Sequence, residues 1–190
     1  MPLSFQARGA LLDLARTVIR HRLTDPTTEP TVPQSTDPEL LQPAGSFVSL
    51  HEIQTHRLRG CVGRLDATTS LFDCVQQTAG SVLKDPRFCD NPVTLTELSN
   101  LLIEISVISP LRPASASDFD LENDGIYLTL GERCGCFLPQ VARETGWSRE
   151  QLLSRLCTEK LGLPPDAWRL PQAEFNAFAT ELVGPEPFVI

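Results

Sequence analysis

The run Phe47-Val48-Ser49-Leu50-His51-Glu52-Ile53, then Gln54-Thr55-His56, then Arg57-Leu58-Arg59-Gly60-Cys61-Val62 reads as two short strands folded across a polar turn. Apolar and polar residues alternate along the first arm, and the second is a short β-like run ending at Val62. A hairpin is therefore expected over 47–62. If Val48 and Leu50 face the core beside Leu58 and Val62, then Ser49 and His51 share the other side with Arg59 and Cys61. One surface would then carry a thiol, a cation, a hydroxyl and a base.

Further along the chain, Leu101–Ile108 is a β-branched run ended by Pro110, and 126–130 with 134–138 forms a second hairpin around Gly131-Glu132. Glu174–Val183 reads as a closing strand. Helices interleave with these strands. Residues 4–23 place Ala7, Leu11, Leu14, Ala15, Val18 and Ile19 at helical spacing behind a Ser4 cap. Thr69 or Ser70 caps a second helix that runs to about Lys84 and stops at Pro86. Ser148 with Gln151 makes a capping box for a third, ending near Gly162. The hairpins exclude an all-parallel sheet, so the fold class is α+β. Thr24–Pro43 gathers five prolines among polar residues and reads as a loop or linker with no means of burying itself.

At 190 residues the chain is long enough for one domain with a real core. Lys+Arg 16 against Asp+Glu 24 gives a net charge of −8, which disfavours nucleic acid as a partner. Arg57, Arg59, Arg64 and Arg87 would have to converge to overcome it. No apolar run is long enough to span a membrane and the N-terminus lacks an export pattern, so the cytoplasm is the expected compartment. The six cysteines are dispersed and are expected to be reduced thiols.

Cys61 between Gly60 and Gly63 admits two readings. In one, Arg59 favours the thiolate, His51 serves as base and the glycines let a ligand approach the backbone. In the other, the glycines bend the strand at a bulge and Cys61 fills a small gap. Asp85-Pro86-Arg87-Phe88 either aims Asp85 and Arg87 into a cleft or closes a helix end with a local ion pair. Cys134 and Cys136 share a strand face, but no second cysteine pair completes a four-ligand zinc site, and no structural metal is expected. Cys157 falls on the apolar side of its helix. His21 and His56 read as surface residues.

Taken together and in order, these segments resemble the AMMECR1 domain. The resemblance is carried by Phe47-Val48-Ser49-Leu50, Leu58-Arg59-Gly60-Cys61-Val62-Gly63, Asp85-Pro86-Arg87-Phe88 and Ile103–Pro110. It continues with Gly125-Ile126-Tyr127-Leu128, Phe137–Ala142, Gly146-Trp147-Ser148 and Ala167-Trp168, and spans residues 4–183. It implies a single domain over 1–190. That domain would have larger and smaller intertwined subdomains, a mainly antiparallel sheet flanked by helices, and a cleft near the Arg-Gly-Cys-Val-Gly segment, with 24–43 a variable loop. It also implies similarity to the A component of the AmmeMemoRadiSam system, whose partners would be Memo-like and radical SAM proteins. By that mapping Arg59, Gly60, Cys61 and Gly63 are site residues, and Asp85 and Arg87 join them.

The expected function is accordingly a substrate- or ligand-binding cleft around this motif, within a modification pathway and with no cofactor implied. The alternatives are a non-catalytic interaction module and a nucleic-acid-associated factor. Arg133-Cys134-Gly135-Cys136 departs from the family pattern, where a basic residue and a larger side chain are commoner. That counts against a metal site shared with the family.

Overall fold

The computed structural model describes residues 2–188. In chain order its elements are α1 (Phe5–Thr24), β1 (Gly45–Glu52), β2 (Leu58–Arg64), α2 (Leu71–Ser81), β3 (Leu101–Ile108), β4 (Arg112–Ala114), β5 (Asp124–Leu130), β6 (Arg133–Phe137), α3 (Pro139–Thr145), α4 (Arg149–Arg155) and β7 (Glu174–Pro187). Short 3-10 turns cover 82–84, 86–88, 95–100 and 167–169, and one π-helical turn covers Leu156–Leu161. The β1–β2, β1–β3, β4–β7, β5–β6 and β5–β7 pairings are all antiparallel, and with the helices this is an α+β fold. The described chain forms two compact units, residues 2–108 with 181–188, and residues 109–180.

The first unit is built on the order β2-β1-β3, with the end of β7 beside β3. The expected hairpin is present, with Val48 opposite Val62 and Ser49 opposite Cys61. Val48, Leu50, Ile103 and Ile105 are fully buried on one face, where α1 and α2 pack. Ser46 on that face hydrogen-bonds the Thr78 hydroxyl and the Cys74 sulfur of α2, so its hydroxyl is satisfied in the core. Ser4 and Ser70 cap α1 and α2 by accepting from the backbone N–H three residues on. After α1 ends at Thr24, residues 25–43 form turns and irregular backbone, but they are anchored, contrary to the reading of 24–43 as a segment unable to bury itself. Leu40 is 1% exposed in the core, and the Leu40 and Gln42 carbonyls accept from Phe72 and Leu71 at the start of α2. One leucine inside a proline-rich stretch has too weak a periodic signal to be read as core.

In the second unit β7 lies between β4 and β5, and β6 pairs with β5. Ile126, Leu128, Phe137 and Ala177 face a core completed by Leu152, Leu153, Leu156 and Cys157. The Ser148–Gln151 capping box starts α4. The chain leaves the π-helical turn at Gly162 in the left-handed conformation (φ 63°), a backbone state glycine adopts without strain. Arg133 donates to the Leu161 and Gly162 carbonyls that this end would otherwise leave open.

Candidate functional site

The sheet of the first unit has a second face, opposite the helices. Ser49 sits directly across from Cys61 on β2 and across from Glu104 on β3, so thiol, hydroxyl and carboxylate form one row over three adjacent strands. The backbone amide of Cys61 points away from β1, to Asp85. Ser49 and Cys61 are therefore a non-hydrogen-bonded pair, the class with closer side chains, whereas Ser49 and Glu104 exchange ladder bonds. Ser49 is 8% exposed and Cys61 half-buried. His51 lies two residues on from Ser49, on the same face, and its Nδ1 is 3.4 Å from the His56 carbonyl.

Arg59 departs from the expectation. The β1–β2 register slips between Leu50 and His51, which pair with Gly60 and Leu58, so Arg59 is the extra residue of a bulge. Strict alternation does not carry from Arg59 to Cys61. The Arg59 guanidinium reaches Glu97 instead, through Nε at 2.6 Å and Nη2 at 3.1 Å, and also donates to the Asn91 carbonyl at 3.1 Å. It lies 5.6 Å from the centroid of Phe88. Arg59 is 7% exposed. The bound carboxylate raises the Arg59 pKa, and the same bond holds Glu97 below the ordinary carboxylate range. Strand alternation alone does not encode such a slip.

Asp85 and Arg87 close the free edge of β2. Asp85 accepts from the Cys61 N–H at 2.9 Å, from the Arg87 N–H at 3.1 Å, and from Arg87 Nε and Nη2 at 3.0 and 2.6 Å. Arg87 Nη2 also donates to the Cys61 carbonyl at 3.3 Å. An ion pair thus takes both main-chain groups of Cys61 where a further strand would otherwise bind. The Arg87 guanidinium, followed by the Cys61 and Arg87 amides, pulls the Asp85 carboxyl down to about 2 against the cost of burial. The local ion pair at the helix end is therefore present, and it is tied to the motif strand.

The two glycines answer to packing. A Cβ on Gly60 would stand 2.9 Å from the Val82 carbonyl oxygen, and one on Gly63 would stand 2.3 Å from the Phe47 ring. Of the four arginines considered for nucleic acid, Arg59, Arg64 and Arg87 are each paired with a carboxylate of the chain, namely Glu97, Asp66 and Asp85.

Glu104, Glu97 and Asn91 were given no role by sequence reasoning, and Phe88 only a place in the Asp85–Phe88 motif. Glu104 did leave a signal, a carboxylate in the β-branched run Leu101–Ile108, although alternation alone does not say which strand residue it meets. Among the described residues no group of three or more His, Cys, Asp or Glu side chains is placed to hold a metal ion, and no helix is long and apolar enough to cross a membrane.

The comparisons agree with this architecture. The family model described as AMMECR1 matches residues 12–183. Protein PH0010 of Pyrococcus horikoshii is 35% identical over 189 residues, covering 90% of this chain and 86% of that protein. Protein MJ0810 of Methanocaldococcus jannaschii is 32% identical over 146 residues, covering 73% and 71%. The crystal structure of the uncharacterized protein PH0010 superposes with a TM-score of 0.83 at 33% identity, over 91% of this chain and 88% of that one. With a family model spanning nearly its whole length and relatives above 30% identity across most of theirs, the chain belongs to the AMMECR1 family.

Proposed function

We propose that the protein is a substrate-handling component that binds a polar ligand on the sheet face carrying Cys61, Ser49 and Glu104, with His51 beside them. The observation that carries this reading is the row itself. Three different hydrogen-bonding groups line up across β2, β1 and β3 on a face where strand alternation usually places surface or packing residues. A hydroxyl and a carboxylate at adjacent positions suit a ligand rich in N–H or O–H donors, with the thiol at its end. Asp85 and Arg87 hold the Cys61 backbone and position the thiol without touching the ligand. Memo-like and radical SAM proteins, implied by the family resemblance, are the partners this reading carries, acting before or after it on the same substrate. The chain works where these partners work, in the cytoplasm.

Binding is favoured over catalysis by Cys61. The Arg59 guanidinium, the cation expected to favour the thiolate, is occupied by Glu97, and Arg87 beside Cys61 is paired with Asp85. The test is alkylation of Cys61 by iodoacetamide at neutral pH, read by peptide mass spectrometry in the wild type, Ser49→Ala and Glu104→Gln. A single site predicts that both substitutions change the Cys61 rate by about twofold or more and leave exposed Cys89 unchanged. Cys61 rates identical in all three proteins would dissolve the row as a unit. A wild-type rate tens of times above that of Cys89 would replace binding with thiol catalysis.

A further inference from the structure

The first unit carries a polar groove on its helix side, away from the sheet face of Cys61. A cavity of about 610 Å³ lies there between α1, α2 and the proline-rich segment. The α2 wall, continued through the 3-10 turn at 82–84, presents Asp73, Gln76, Gln77, Gly80, Ser81 and Lys84. These recur at spacings of three and four, the stripe of one helical face. Asp73 and Lys84 are separated by about 17 Å along the axis. Val18 and Arg22 of α1, with Glu29, buried Pro30 and Gln34 of the segment, complete the lining.

We propose that this groove binds a linear zwitterionic ligand with a peptide-like backbone of about five residues. Three observations select that ligand. First, opposite charges are separated along the groove. Near Lys84 two cations share one carboxylate. Arg22 donates to Glu29 and, at 3.1 Å, to the Thr28 carbonyl. The Arg22 hydrogen bond, and more weakly the Lys84 charge, hold Glu29 below the ordinary carboxylate range. Asp73 stands at the other end, where one of its oxygens accepts from the Ser70 hydroxyl at 2.7 Å. Arg22 and Lys84 against Glu29 and Asp73 leave the groove neutral in sum and polar along its length. A ligand carboxylate therefore suits the Lys84 end and an ammonium the Asp73 end. Five extended residues span about 17 Å, the distance between those ends.

Second, the lining between the charges offers amides. Gln76 lies one turn from Asp73 on α2, and Gln34 lines the opposing segment. Neither side chain has a hydrogen-bond partner among the described residues. Each carries an N–H pair and a carbonyl, the groups that meet a backbone C=O and N–H. Gln77 is engaged through its oxygen, which accepts from Arg64 at 2.9 Å, and keeps its N–H donors for a ligand. Third, packing does not require the glycine in the α2 wall. A Cβ on Gly80 would stand 3.6 Å from Arg22 Nε and from Val18 Cγ1, which is ordinary contact. Glycine in a helix interior costs stability relative to alanine. Its effect at position 80 is to leave the groove wall without a side chain.

The test is an amide NMR titration of the full chain, at low ionic strength, with a soluble pentapeptide of alternating alanine and serine. The free peptide, its N-acetylated form, its C-terminal amide and the dipeptide alanylserine are compared. Saturable shifts are expected along 73–84 and 29–34. Capping either end should weaken binding at least about threefold, and shortening to the dipeptide at least about tenfold. Asp73→Asn should erase the difference between free and acetylated peptide. Lys84→Gln should erase the difference between free and amidated peptide. Gly80→Gln, which puts a long side chain into the groove, should weaken binding at least about tenfold. Circular dichroism and unchanged amide signals away from the groove confirm the fold of each variant. No saturable shift at several millimolar peptide would overturn the proposal. So would shifts that map to the Cys61 face, or equal binding of free and capped peptides. Discrimination between free and capped ends that survives in both charge variants would do the same.

Discussion

Replacing Asp85 with asparagine removes one charge from a carboxylate that is 3% exposed and accepts four hydrogen bonds, three from Arg87 and one from the Cys61 amide. Its carboxyl is held at about 2 instead of the ordinary 3.8, which corresponds to about 2.5 kcal/mol of stability at neutral pH. Arg87 is 56% exposed along its side chain, so solvent screens part of this, and about 1–2 kcal/mol is expected. In a chain of this length that lowers Tm by about 2–8 °C. The folded-state pKa lies below the unfolded one, so the contribution is complete above pH 3.8 and drains away as pH falls toward 2. Urea unfolding of the wild type and Asp85→Asn from pH 7 to 2.5 reads the difference directly. The gap should stay level down to about pH 5 and shrink to about a third by pH 2.5. A gap of the same size at pH 7 and pH 2.5, or none at pH 7, would refute the assignment of Asp85 as a charged cap on the β2 edge.

Arg59→Ala leaves Glu97 without its partner and strips the cation from Phe88, and equilibrium unfolding should show a loss of about 2–3 kcal/mol. Gly63→Ala drives a methyl into the Phe47 ring and the Ser46 carbonyl, and urea denaturation should record about 1–3 kcal/mol of destabilisation without any ligand present. Leu40→Ala should cost about 2–5 kcal/mol in the same assay, a value an unanchored linker would not give. Ser148→Ala removes the capping box of α4 and should lower stability by about 1 kcal/mol, with faster amide exchange confined to the first turn of that helix.

Much of the fold is legible because it rests on local rules. Ser4, Ser70 and Ser148 announce their helices by side-chain caps, and each cap forms. The hairpins at Gln54–His56 and Gly131-Glu132 follow from polar turns between alternating runs, and both form, the first with an unanticipated bulge at Arg59. The run Leu101–Ile108 and the strand beginning at Glu174 are equally plain, although the latter continues to Pro187. Less legible were α3 and the 3-10 turns around Pro86 and Leu95, which are too short to establish a period. The site divides in the same way. That Ser49 shares a face with Cys61 follows from alternation, whereas the engagement of Arg59 by Glu97 joins residues 38 positions apart after a bulge that shifts the register.

The sequence by itself determined the family, the α+β class, the helix starts and the identity of the motif strand, because caps, turns and alternation act between near neighbours. Only the tertiary structure decided which carboxylate each arginine meets, that Glu104 shares a row with Ser49 and Cys61, and that Leu40 anchors the proline-rich segment. Those outcomes depend on strand register and on packing between distant segments. A single inserted residue such as Arg59 changes them without altering any local pattern.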